Sequence, residues 1–249
     1  IGFGLGVILI IPFTIFGAVE SFLYLVIFAS LLAFILMYSI EEVKYQSEPL
    51  NYLEGINALA SNNKYVAGLT ISILYKAALT IRISYQAILF NEMGMSFFMI
   101  ALSNLIMVIP ELVLMPMFDN KFYHLGFKKQ ITFAMIISMM QMFVFIYVTN
   151  PITLVLSTAL HGVSMAFLLP GYATYLKRNI PENILSSAFL TSTTIISLCT
   201  FLISLILITP IYDYFGVRSV FIFLTFVMML ALALVYVPYY KKNLSEEIS

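Results

Sequence analysis

Charge is what this 249-residue chain has least of: 12 Lys and Arg with 12 Asp and Glu make up 10% of it, against 62% hydrophobic residues and a mean hydropathy of +1.02. Soluble domains carry about a quarter charged residues, so the composition excludes a water-soluble globular protein and defines an integral membrane one. The formal net charge of zero gives no electrostatic footprint for nucleic acid. Cysteine is nearly absent. The single Cys199, inside an apolar run, excludes an internal disulfide as well as zinc and iron–sulfur spacings. Nucleophile–base spacing, a phosphate-binding glycine loop and a metal cluster are missing too, so neither an enzyme nor a cofactor is expected. The opening stretch "IGFGLGVILIIPFTIF" lacks the basic flank and cleavage site of a signal peptide. It begins inside a hydrophobic segment, and the chain is expected to be a fragment whose N-terminus lies upstream.

What is there is a succession of long apolar runs. A bilayer core of ~30 Å needs about 20 such residues per helix, which divides the chain into eight spans at 1–17, 21–40, 65–90, 95–118, 130–149, 152–176, 185–209 and 219–240. Short polar connectors such as "NEMG", "VTNP" and "NIPEN" join them as antiparallel neighbours. The one long connection, 41–64, holds four glutamates and separates helices 1–40 from a six-helix block at 65–240, with a tail at 241–249. Within it Leu50, Leu53, Ile56 and Leu59 recur at near-helical spacing, which fits a short helix on the membrane surface or a solvated linker equally.

Cations set the orientation. With the long connection cytoplasmic, that face carries Lys44, Lys64, Lys121, Lys128, Lys129, Lys177, Arg178, Lys241 and Lys242, and the opposite face only Arg218. A multi-pass protein of the cell membrane with a cytoplasmic C-terminus is expected.

Ionisable groups inside the spans cost about 2.5–3.5 kcal/mol each on insertion scales and so mark function by default. His161 belongs to a stripe with Thr153, Ser157, Ser164 and Tyr172 at helical spacings, which faces either an aqueous path or a neighbouring helix. Glu111 follows Pro110, which cannot donate to the carbonyl of Ile106, and shares a side with Asn104 two turns earlier. Arg82, Tyr85 and Gln86 form a donor-rich face suited to hydroxyl or carboxylate groups. Lys76 points about 120° away from Arg82 and is assigned to a helix contact. An Arg82–Glu111 pair would satisfy both charges. The hydroxyls of "SSAFLTSTTIISLCTFLIS" are expected to serve helix packing.

Several stretches, in order, carry a resemblance to a known family. They are "IGFGLG", "EPLNYLEGINALASNNKYVAGL", "PELVLMPMFDNKFYHLGFKK", "LHGVSMAFLLPGYATYLKRNIPEN" and "PIYDYFGVRSVF". Together they resemble the major facilitator superfamily, in its oligosaccharide/proton and nucleoside/proton symporter (lactose permease-like) branch. The resemblance implies an all-α transporter of two six-helix bundles with its solute held between them at mid-membrane. This chain would hold the fifth to twelfth helices and lack the first four.

It also implies a cavity-facing, protonatable His161. Relatives carry a proton-coupling glutamate three residues later, where this chain has Ser164; Leu185, Phe189 and Leu190 stand where arginine, glutamine and glycine are common, and His124 replaces a usually basic residue. The expected function is therefore secondary active transport of a small polar solute, sugar or nucleoside-like, coupled to protons. Arg82, Tyr85, Gln86, Asn104, Glu111, His161 and Ser164 are the substrate-binding candidates, with Glu111 and His161 carrying the proton. The alternative is a non-transporting sensor or assembly subunit that keeps the fold. A membrane enzyme using His161 and Glu111 comes third, for want of a nucleophile.

Overall fold

Capping residues show where several of the helices start. Asn62 accepts hydrogen bonds from the backbone N–H groups of Lys64 and Tyr65, and Asn150 does the same for Ile152 and Thr153 with Pro151 at the first helical position. Gly216, at φ +79°, makes the left-handed turn between two helices that a side chain would resist. In a computed structural model that describes residues 31, 32, 35, 52–117 and 125–244, the chain is helical throughout, with no strand among the described residues.

The helices are α1 (Tyr52–Ser61), α2 (Asn63–Glu92), α3 (Phe97–Met117), α4 (Phe127–Tyr147), α5 (Pro151–Ser157), α6 (Ala159–Asn179), α7 (Glu182–Ile203), α8 (Thr209–Phe215), α9 (Val217–Tyr236) and α10 (Pro238–Leu244). α5 and α6 run on as one span, as do α7 and α8 through a π-helical turn at Ser204–Ile208. Pro210 follows that turn and has no N–H for the Ile206 carbonyl four residues back, while Thr209 donates both its N–H and its Oγ1 hydroxyl to the Ser204 carbonyl.

Six spans are long and apolar enough to cross a membrane, and they match the last six expected from sequence to within a few residues at most ends. The first two expected spans, 1–17 and 21–40, fall outside the described residues, the helical 31, 32 and 35 apart. So do Lys44, Lys121 and His124. α1 answers the open choice in 41–64 for its second half, which is helical.

α3 packs on α5/α6, α6 on α4, α4 on α9, α9 on α2 and α2 on α7; α2 and α6 touch more lightly at the middle. Exchanging the triplet α2, α3, α4 with α6, α7, α9 leaves this set of main interfaces unchanged, as two copies of one three-helix unit would. The core follows the central helices. Phe145 meets Phe90 and Phe221 edge-on at 6.0 and 5.2 Å, and Phe127 stacks on Tyr175 at 4.6 Å. α3 and α7/α8 end the series, and only 11% of the most apolar stretch of α7/α8 is buried, against 61% for α2.

One end of the bundle is tied tightly. Tyr175 donates toward the carbonyls of Lys64 and Asn243, and Asn62 Nδ2 donates to the Asn179 carbonyl at 3.1 Å. These contacts gather the helix ends bearing Lys64, Lys177, Arg178 and Lys242, while Arg218 caps the Ile146 and Val148 carbonyls at the other end.

Candidate functional site

Two separate polar regions lie at membrane depth, and α2 contributes to both. The first is a sealed seam between α2, α3, α4 and α6. Arg82 is fully buried; its Nη1 donates to Gln86 Oε1 at 2.7 Å, its Nη2 points at Met107 Sδ at 3.9 Å, and its guanidinium lies 5.9 Å from the Phe145 ring centroid. Gln86 passes the chain on, donating to Ser103 Oγ at 3.2 Å. Thr158, where α5 gives way to α6, places its hydroxyl 2.8 Å from the Ser103 carbonyl and 2.6 Å from the Val155 carbonyl of its own span. Close approach makes this possible, because a Cβ on Gly162 would collide with the Met107 carbonyl.

His161 is 3% exposed and within electrostatic reach of Arg82, and its Nδ1 has no hydrogen-bond partner. Ser164 donates to the His161 carbonyl and neighbours the Tyr75 hydroxyl, which shares a 2.9 Å bond with Ser138. Arg82 Nε and both amide atoms of the buried Gln141 are also unpartnered.

Of the seven expected substrate-binding residues, then, the structure brings together Arg82, Gln86, His161 and Ser164, and encloses them. Tyr85 turns the other way, its ring 5.4 Å from Tyr212 of α8. Asn104 and Glu111 are half-buried on α3, and neither hydrogen-bonds a described residue. The Arg82–Glu111 pair does not form: Arg82 sits one turn earlier along α3, at Met107, with Nη2 turned there and Nη1 on Gln86. No group of His, Cys, Asp and Glu among the described residues could hold a metal.

The second region is an open groove of about 320 Å³ between α2 and α7, lined by Thr80, Ile81, Ser84, Ile196, Ser197, Thr200, Phe201 and Ser204. Five of these eight are hydroxyl residues. Ser84 and Thr200 return their hydroxyls to their own helix backbones, at Thr80 and Ile196, while Thr80 and Ser197 stand exposed. The expectation that the α7 hydroxyls serve helix packing holds for Ser192, which is buried, and fails for Ser197, Thr193 and Thr194, which are exposed. A signal was present: Thr80 and Ser84 are four apart, and Ser197, Thr200 and Ser204 three and four apart, each set on one helix face.

No family model, no curated protein and no solved structure matches the chain. Fold and site together define a class, an all-helical multi-pass membrane protein with a polar groove at mid-span. The likeness to major facilitator transporters rests on the motifs of the sequence alone.

Proposed function

We propose that the chain is the C-terminal bundle and adjoining helices of a major facilitator-type carrier for a small polar solute, held in the α2–α7 groove and exposed alternately to the two sides of the membrane. The observation that carries this reading is the groove itself. Ser197 lies near the middle of a 34-residue span and Thr80 near the middle of a 30-residue one, so five hydroxyls line a recess at mid-bilayer depth. Against lipid tails such a recess has no partner, whereas a water-filled path or a second polar bundle gives it one. The triplet-exchange pattern of the helix contacts supports the same reading.

In this reading Arg82, Gln86, Ser103 and Thr158 are structural, locking α2, α3 and α6 into one rigid body. Proton coupling falls to Glu111, which is half-buried and, among the described residues of the spans, the only carboxylate more than one turn from a span end. Cytoplasmic orientation of the lysine-rich end follows from the positive-inside rule.

Uptake of radiolabelled monosaccharides, neutral and acidic, and of nucleosides into proteoliposomes of the full-length protein tests this. A Ser197→Ala/Thr200→Val pair is expected to lower uptake at least tenfold, and Glu111→Gln to remove its dependence on a pH gradient. Uptake insensitive to the groove pair would sink the proposal.

One observation favours a second reading, a non-transporting sensor or assembly subunit. The ionisable pair Arg82 and His161 is shut away from the groove, leaving no visible relay between the two. In that case no panel solute is taken up.

A further inference from the structure

A cation lies one helical turn from the groove's lining. Lys76 is one turn before Thr80 on α2, thirteen residues from the start of the helix and sixteen from its end, or roughly 20 and 24 Å at ~1.5 Å per residue. A lysine side chain cannot reach the headgroups from there. Instead its Nζ lies 4.6 Å from the centroid of the Tyr172 ring. Tyr172 in turn donates to Ser192 Oγ at 3.0 Å, and Ser192 is one turn before Ile196 on α7. Thr80 and Ile196 both line the groove. One turn below Thr80 and Ile196, then, the two helices carry Lys76 and Ser192, bridged by Tyr172. Ser192 also donates to the Tyr65 hydroxyl at 3.1 Å, which closes the space beyond.

Among the described residues no carboxylate answers this ammonium. The acids on the elements around it are Glu92, at the far end of α2, and Glu182, ten residues before Ser192 on α7; α6 has none. By helix rise these lie roughly 24 and 15 Å away along their helices. A lysine held at mid-bilayer without a counter-charge is costly unless something anionic visits it. The groove above offers only hydroxyls, and its volume of about 320 Å³ is at the small end for ligand sites.

We infer that the groove is built for a hydroxylated monocarboxylate, a sugar acid, with its carboxylate on Lys76 and its hydroxyls along Thr80, Ser84, Ser197 and Thr200. A lone ammonium suits a single carboxylate. A phosphate dianion is better met by the several donors of an arginine or a second cation, and Arg82 is sealed on the other side of α2. This inference rests on the carrier reading and narrows its solute from neutral sugars and nucleosides to acids.

Thermal-shift titration of the purified full-length protein with sodium D-glucuronate and with D-glucose, at matched ionic strength, tests it. Glucuronate is expected to bind at least tenfold more tightly than glucose. Lys76→Gln should erase that preference and Lys76→Arg should keep most of it. Thr80→Glu, which tethers a carboxylate one turn from Lys76, should block glucuronate even if Lys76→Gln fails to fold. Equal binding of the two sugars, or a preference that survives both Lys76→Gln and Thr80→Glu, overturns the inference. If neither sugar binds while proteoliposomes still take up a neutral solute, the inference falls and the carrier reading stands; if no solute of any class is taken up, both fall.

Discussion

The bundle carries two grooves of comparable size on different flanks, and they could hardly be lined more differently. Between α4 and α9 a recess of about 530 Å³ is walled by Ile136, Met139, Met140, Phe143, Met229, Leu232, Ala233 and Tyr236, while the α2–α7 recess presents five hydroxyl residues. Both sit on spans apolar enough to cross a bilayer. The two linings suit different surroundings: methionine and phenylalanine match lipid tails, and a row of hydroxyls matches water or polar groups. The largest effect follows from placing the same charge on each. Ile136 and Ser197 are exposed and near the centres of their spans. Ile136→Lys should cost about 2.5–3.5 kcal/mol of stability, and Ser197→Lys less than about 1 kcal/mol, measured by denaturant unfolding in bicelles. Equal penalties would mean that both flanks meet lipid, and the comparison would break.

Chemical access sharpens the same contrast. Cys199 is the only cysteine, so a Cys199→Ser background is free of thiols and single cysteines report cleanly. In lipid vesicles Ser197→Cys should react with a membrane-impermeant thiosulfonate at least tenfold faster than Met140→Cys, a difference of about 1.4 kcal/mol in apparent accessibility. A sugar acid should slow the first and leave the second unchanged. Slow labelling at both positions would place the hydroxyl groove against lipid or a dry interface and remove the basis of the carrier reading.

Much of this was legible in the sequence, and the limits have physical causes. Apolar runs of bilayer length gave the six described spans, because a backbone in hydrocarbon has few options besides a helix. Spacing puts Arg82, Tyr85 and Gln86 on one face; a 2.7 Å bond joins Arg82 to Gln86, while Tyr85 turns to Tyr212. What spacing could not say was which way that face looks. Period 3.6 places Arg82 with Gln86 and Lys76 with Thr80 on two different sides of α2, but only the side chains that α3 and α4 set against the first, and α7 beside the second, decide which is enclosed. Charge drew attention to Arg82 and His161, which are buried, and away from Thr80 and Ser197, which look ordinary in a list of residues and line the open groove. Hydropathy counts a serine alike whether it bonds its own helix or waits for a ligand.

The smallest effect compares one hydroxyl from each polar region. Thr158 is fully buried and shares its hydroxyl between the Ser103 carbonyl across the α3–α6 contact and the Val155 carbonyl of its own span, so Thr158→Val keeps the shape and removes both contacts. Interhelical hydrogen bonds in membranes average about 0.6 kcal/mol, with the strongest near 1.7. A loss of roughly 1 kcal/mol is expected, because the seam excludes the water that could replace the donor. Thr80 is exposed and makes no such bond, and Thr80→Val should change stability by less than about 0.3 kcal/mol, within the scatter of surface substitutions. Its effect belongs to solute binding instead. If Thr80→Val destabilised the fold as much as Thr158→Val, the Thr80 hydroxyl would be tied into the protein's own packing, and the α2–α7 recess would be a second structural seam with no room for a ligand.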